Sequence, residues 1–451
     1  MTTTEQLYDI FLRHPTIQTD TRKLRAGDLF FALKGPNFNG NQFAARALEL
    51  GAAYTVIDEA PPDDSIPPSI SDRLLVVPDT LKALQALALH HRRQFTIPFI
   101  AITGSNGKTT TKELIHAVLS STWRTYTTQG NLNNHIGVPI TILSVRADAE
   151  FAVIEMGANH QKEIEGYCQY TLPTHGLITN VGKAHLEGFG GPEGVKKGKG
   201  ELFDFLRSTQ VPELTTPAPV SGGTAFVMWD YDYLREMSRG IPHIIKYGTQ
   251  DADITGKEID RQPELAPSAV LTVGITSGAD IPILPSQLVG DYNLPNILAA
   301  VAVGKHFGVA DAAIKKAIEE YEPSNSRSQR IEKDGNNIVL DAYNANPSSM
   351  RAAIENFAIK KGDKVLILGA MAELGPESLN EHRAIVDLIG QYKWKDVVLV
   401  GGDFEKIDHP YHRYADSREA REWLRQAGLH KAYILVKGSR SMKMEEVVSE
   451  K

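Results

Sequence analysis

Residues 102–114 read ITGSNGKTTTKEL and hold the residue types that grip a phosphate. Gly104 and Gly107 let backbone N–H groups turn toward an anion, with Ser105 and Asn106 between them. A helix predicted to start at Lys108 points its positive end at the same spot. Lys108 can reach the outer phosphates of a nucleotide, the Thr109 hydroxyl can ligate magnesium, and Thr110 completes the nucleotide-binding run. In the standard phosphate loop a further glycine precedes this group; Ile102 stands there, so the loop is shorter than that pattern. The bland alternative is a glycine turn with a surface lysine. The strand before, the helix after and the intact GKTT favour phosphate.

Two other side chains could join that chemistry. Glu155 ends a second apolar run, EFAVIEMG. A carboxylate at a strand end beside a phosphate loop is where a magnesium ligand belongs, although an exposed strand-end acid reads the same. His185 follows a third run in ITNVGKAHLEGFGG, on the same sheet edge, and suits either a structural or a metal-binding role.

The elements that must position these residues are legible. PFIAITG, EFAVIEMG and THGLITNV read as buried strands, with KTTTKELIHAVLSST a helix between the first two. Apolar strands alternating with helices predict a parallel sheet covered on both faces. Before it, GDLFFAL and AAYTVID read as strands, NQFAARALEL as a helix, and TLKALQALALHHRRQF as an amphipathic helix leading into the next domain. APPDDSIPPSI, residues 60–70, reads as a surface loop. Beyond Glu201 only short strand candidates appear, up to PILPSQLVG, and two helices follow, NLPNILAAVAVGKHFGV and DAAIKKAIEEYEP. The polar stretch EPSNSRSQ marks a boundary. The remainder restarts the strand–helix rhythm without a full GxGxxG, so no dinucleotide is inferred. The expectation is three α/β domains: residues 1–97, a central phosphate-loop domain at 98–323, and a Rossmann-like domain at 324–451.

The chain has 451 residues, too long for one ordinary core. Its formal charge of −7, with no long basic block, argues against a nucleic-acid backbone partner. Cys168 is the one cysteine, which excludes an intrachain disulfide and a cysteine zinc site. No uncharged apolar run approaches the roughly 20 residues that span a bilayer. The opening MTTTEQLYDIFLRHP lacks a basic start followed by an apolar core. A cytoplasmic protein with small-molecule partners, and a monomer, is expected.

TGSNGKTT, GNLNNHIGVPITIL, IEMGANHQKEI, ITNVGKAHLEGFGG, KGKGELF, NLPNILAA, LDAYNANPSSM and LVKGSRSMKMEEVV together resemble the Mur ligase family, ATP-driven amide-forming enzymes of bacterial cell-wall synthesis. The resemblance covers nearly the whole chain. GNLNNHIGVP and DAYNANPSSM look most like the members that join D-alanyl-D-alanine to a UDP-N-acetylmuramoyl tripeptide. TDTRKLRAGDLFFALKG resembles the family's uridine-nucleotide segment, which implies that Thr21 and Arg22 approach the uridine diphosphate, with Lys34 and Gly35 nearby. The family's DGH is Asn39-Gly40-Asn41 here, and its GDMxELG has Ala370 in place of the acid.

The resemblance further implies ATP and magnesium as cofactors, with magnesium on Thr109 and Glu155 and a second ion on His185. It implies a carbamylated lysine at Lys199, an anionic oxygen ligand made from carbon dioxide, where a surface lysine is the bland reading. It places Asn296 against adenine, and Arg327 and Asp341 on the ribose and phosphates. Tyr343, Asn344 and Asn346 would meet the dipeptide, Asn134 the peptide of the nucleotide, and Ser439 and Arg440 a substrate carboxylate. Rival expectations are another amino-acid-adding ligase, such as folylpolyglutamate synthetase, and a regulatory ATPase.

Overall fold

The computed structural model describes residues 1–60, 68–208, 222–259, 271–323 and 326–449. Among them three main sheets succeed one another along the chain, each with helices on its faces.

The central sheet is built around Phe99–Thr103, whose five residues are all buried. It pairs in parallel with Phe151–Glu155 on one side and His175–Ile178 on the other. Thr125–Thr127 closes that edge; Thr224–Met228, His243–Gly248 and Ile254–Glu258 extend the other, all parallel. Leu271–Ser277 and Leu284–Ser286 then add antiparallel strands. These are the short candidates that the sequence left unresolved, so the parallel sheet carries an antiparallel border. Such strands alternate burial less regularly and read weakly from pattern alone.

Leu294–His306 is buried on nearly every side from Asn296 to Gly304. It crosses the phosphate-loop helix Lys108–Ser120 closely. A Cβ on Gly304 would come 2.6 Å from Val118 Cγ1, so only glycine permits that approach. This crossing carries Asn296 to the mouth of the loop.

The N-terminal sheet orders Ile17–Gln18, Leu29–Phe31, Tyr54–Ile57 and Leu74–Val76, all parallel. Of the proline-rich stretch read as a loop, residues 61–67 lie outside the described residues, and Pro68–Arg73 forms a 3-10 helix. The C-terminal sheet orders Gln329–Lys333, Asn336–Asp341, Tyr433–Lys437, Lys364–Gly369, Asp396–Val400 and His412–Tyr414, parallel except for its first pair. Within the EPSNSRSQ boundary, residues 324–325 lie outside the described residues.

One buried cation ties the first two parts. Thr80–Arg92, capped by the Asp79 side chain, ends in Arg92, which is 1% exposed. Its guanidinium donates to the carbonyls of Thr171 at 2.8 Å, Leu172 at 2.9 Å and Phe95 at 2.9 Å. Thr171 closes the helix Glu163–Thr171, whose last carbonyls lack intrahelical partners, so a cation there also meets the negative end of the helix. Burial pulls the Arg92 pKa down to about 9. Replacing it leaves buried carbonyls unpaired. Arg92→Leu is expected to lose roughly 2–4 kcal/mol of unfolding free energy in urea titrations, with Arg92→Lys recovering part of it.

Candidate active site

The phosphate loop is held from behind by the end of the neighbouring strand. Ser105 N–H donates to the Asn180 carbonyl at 3.0 Å, and Asn106 N–H to Asn180 Oδ1 at 3.0 Å. Thr179 Oγ1 and Asn180 Nδ2 both donate to the Asn106 carbonyl, at 2.6 and 3.1 Å. The Ser105 hydroxyl exchanges hydrogen bonds with Gly182. Gly104 has φ +145°, and a Cβ there would lie 2.0 Å from Thr179 Oγ1. Gly107, at φ +78°, opens the helix, and no side chain among the described residues caps it. Its first N–H groups are therefore free for an anion.

Lys108 Nζ donates to the Gly104 carbonyl at 2.7 Å and to Ser105 at 3.4 Å, folded over its own loop. Burial lowers its pKa; Glu155 opposes this and Arg327 adds to it. Glu155 is 1% exposed. Its Oε1 accepts from Asn133 Nδ2 at 2.8 Å, while Oε2 is buried without a hydrogen-bond partner among the described residues. An orphaned carboxylate oxygen beside buried Thr109 suits a hard cation. Among the described residues no cluster of three His, Cys, Asp or Glu could hold a metal alone, so phosphate oxygens would complete such a site.

A cleft of about 780 Å³ opens over the loop. Ser105 to Thr110, Asn134, Glu155, His185, Asn296, Arg327, Asp341, Tyr343, Asn344 and Asn346 all line it, so residues from two of the sheets converge. Asn346 Nδ2 donates to Asn106 Oδ1 at 2.7 Å while its Oδ1 caps the helix Pro347–Ala358. Asp341 accepts from Lys437 Nζ at 2.5 Å and from Ser328 N–H at 3.2 Å. The Arg327 guanidinium lies 3.6 Å from the Tyr343 ring centroid. Asn296 accepts from Thr111 Oγ1 and donates to Asn293, both at 2.9 Å. Asn344 Oδ1 and Asn134 Oδ1 accept from turn N–H groups. His185 Nδ1 lies 2.5 Å from Glu373 Oε2, and this contact holds the Glu373 carboxyl below its usual range.

Several expected residues sit elsewhere. Thr21 and Arg22 lie in the turn between the first two strands of the N-terminal sheet, and Lys34–Gly35 pair with Phe38–Asn39 in a separate two-stranded ribbon; all four are outside the cleft lining. Arg22 pairs with Asp20 at 2.8 Å and draws its pKa down to about 2; Lys34 pairs with Asp58 and Glu59. Asn41 is buried and bonds Asn39 and Asp58, a structural use of that departure from DGH. Lys199 is no surface lysine: it is 1% exposed, donates to the Ala158 carbonyl at 3.1 Å and lies over Phe189. Burial, reinforced by Lys108, pushes its pKa well down. Ser439 and Arg440, expected on a substrate carboxylate, lie outside the cleft lining. The Ser439 hydroxyl donates to the Ala370 carbonyl at 2.7 Å, and Arg440 pairs with Glu445, because the chain after Lys437 folds back onto its own sheet. Unforeseen lining residues include Asn180, Tyr231, Tyr233, Glu373 and Lys437. Glu373 and Lys437 stood inside quoted motifs; the tyrosines carried no signal.

Residues 102–304 match the Mur ligase middle domain, residues 326–440 the Mur ligase glutamate ligase domain, and residues 15–92 the Mur ligase family catalytic domain. The chain belongs to the Mur ligase family. It is 36% identical to the UDP-N-acetylmuramoyl-tripeptide–D-alanyl-D-alanine ligase of Escherichia coli, over 96% of this chain and 92% of that one. A crystal structure of MurF from Acinetobacter baumannii superposes with a TM-score of 0.83 at 30% identity, covering 99% of this Mur ligase and 97% of that chain. MurF ligase from Thermotoga maritima in complex with ADP gives 0.81 at 25% identity, with 98% and 97% covered.

Gly104 tests the loop geometry. Its positive φ and the close approach of Thr179 predict that Gly104→Ala strains or displaces the loop by roughly 1–3 kcal/mol. ATP affinity is expected to fall about tenfold or more in calorimetry, with the circular dichroism spectrum retained.

Proposed function

We infer that this Mur ligase adds D-alanyl-D-alanine to UDP-N-acetylmuramoyl tripeptide, consuming ATP and giving the pentapeptide precursor of peptidoglycan. The observation that carries the reading is the meeting of the nucleotide loop with the C-terminal turn, where Asn346 bonds Asn106 at 2.7 Å. The relatives' printed activity supplies the substrates. The folylpolyglutamate and regulatory-ATPase alternatives are not favoured, because relatives matching along 96% of the chain carry this ligase name.

Joining a carboxylate to an amine in water is uphill, so the acid is first activated. The tripeptide's terminal carboxylate attacks the γ-phosphorus; the bond to the bridging oxygen breaks and ADP leaves. The amine of the dipeptide then attacks the acyl carbonyl of the resulting acyl phosphate, and inorganic phosphate departs with the C–O bond's electrons. The first step brings two anions together, so positioning and charge neutralisation carry the rate. Lys108 and the free N–H groups of its helix hold the phosphates. Arg327 and Asp341 bring the C-terminal domain to the nucleotide, and Asn296 flanks it. Tyr343, Asn344 and Asn346 face the dipeptide, with Asn134 on the peptide of the nucleotide. Thr21, Arg22, Lys34 and Gly35 take the uridine diphosphate. Magnesium, held by Thr109 and Glu155, would supply neutralisation of the phosphate oxygens; His185 and Lys199 would hold a second ion.

Lys199 takes this last role as a carbamate. Burial, with a hydrogen bond only to the neutral Ala158 carbonyl among the described residues, favours its neutral amine, the form that adds carbon dioxide and releases a proton. Closure of the C-terminal domain over the central one would exclude water from the acyl phosphate. Domain limits at 97 and 323, a cytoplasmic location and a monomer complete the proposal. No helix among the described residues is long and apolar enough to cross a membrane.

Mass spectrometry of the product made from ATP, UDP-muramoyl tripeptide and D-alanyl-D-alanine is expected to show the tripeptide nucleotide enlarged by one dipeptide. ATP loss with no enlarged conjugate overturns the reading. Lys108→Ala is expected to fold and to lose at least about a hundredfold in turnover. Protein equilibrated with ¹³C-bicarbonate is expected to show a carbamate carbon resonance that Lys199→Ala abolishes; its absence from the wild type removes the carbamate.

A further inference from the structure

We propose that Asn133 is the positioning residue of the metal carboxylate. Its side-chain amide clamps one oxygen of Glu155 and leaves the other committed to the cation alone. The inference builds on Glu155 as a magnesium ligand and adds the residue that orients it.

Glu155 enters the cleft from the last position of Phe151–Glu155, and its backbone N–H is fixed by Thr128 Oγ1 at 2.9 Å. The main chain is therefore set, but the terminal torsion of a glutamate is broad and would leave the carboxylate free to turn. Asn133 Nδ2, donating to Oε1 at 2.8 Å, removes that freedom. Oε2 is then the oxygen with no partner among the described residues.

Asn133 is itself immobilised. Its N–H donates to the Asn131 carbonyl at 2.8 Å, and its carbonyl accepts from Gly157 N–H at 2.7 Å. A Cβ on Gly157 would lie 3.0 Å from the Asn133 side-chain amide, tighter than ordinary contact. The turn holding Asn133 and the turn just past Glu155 thus clasp each other. Gly157 is small because the clamp occupies its space.

The residue type also suits the task. A neutral amide lends one N–H and leaves the carboxylate its negative charge. A lysine or arginine there would form an ion pair with Glu155 and repel a dication. An aspartate would face Oε1 with a second anion and no donor. Partners of this kind outside the ligand set typically govern metal affinity by about 10- to 100-fold.

The test separates this role from a purely structural one. Affinity for a non-hydrolysable ATP analogue is measured by calorimetry on the full chain, once in saturating magnesium and once in EDTA. The ratio of the two affinities is the metal's contribution. Asn133→Ala is expected to shrink that ratio about tenfold or more while the affinity in EDTA stays at the wild-type value. The magnesium concentration that half-saturates turnover should rise, and KM for the dipeptide should not. Asn133→Ser, whose hydroxyl is too short to reach Oε1, is expected to behave alike and serves if the alanine variant folds poorly. An unchanged ratio, or equal losses with and without magnesium, overturns the clamp. Glu155→Gln distinguishes the two layers: if it too leaves the ratio unchanged, the metal role of Glu155 itself falls.

Discussion

The peptide group of Asn106 is the point on which the centre of the molecule depends. Its carbonyl takes hydrogen bonds from Thr179 and Asn180, its N–H is taken by Asn180, and its side chain reaches Asn346 in the C-terminal domain. A loop of small residues has little packing of its own. Its shape is imposed by polar groups at the end of the adjacent parallel strand, which point out of the sheet at the same level. One residue thereby couples the cradle for an anion to the domain that must approach it.

The sheet beneath explains why the charges above it are so constrained. Phe99–Thr103 is covered on both faces, so any ionised group at its end sits beside a dry core. Such groups are costly unless paired or hydrogen-bonded. Arg92 meets the cost with backbone carbonyls, and Lys108 with those of its own loop. Among the described residues Glu155 has one oxygen bonded and one without a partner, and Lys199 has one carbonyl and an aromatic face. The two incompletely satisfied members are the ones proposed as metal ligands.

The strands and helices flanking the phosphate loop were legible because the apolar runs are short, dense and punctuated by glycine. Leu271–Ser277 and Leu284–Ser286 were not, since they are short and buried without the in–out alternation that marks a strand. Lys108 and Glu155 could be nominated from position along the chain and Asn296 from the family resemblance, and the cleft brings them together. Asn180 escaped notice because its contribution is a backbone carbonyl and an amide that act on another segment, which no local spacing announces. Tyr231 and Tyr233 reach the cleft from the N-terminus of the short helix Asp232–Met237, which the sequence reading did not resolve. Ser439, expected on a substrate carboxylate, spends its hydroxyl inside the fold.

That last contact bears on Ala370, which stands at the acid position of the GDMxELG motif. Ser439 engages position 370 twice, by hydroxyl and by N–H, and both times through its carbonyl. Nothing in that grip reads the side chain. Across the gap, a Cβ on Gly402 would fall 2.5 Å from the Ala370 methyl, so the close approach falls on the glycine's side. The turn is thus anchored through main-chain oxygen at 370, a hold indifferent to which side chain occupies that position.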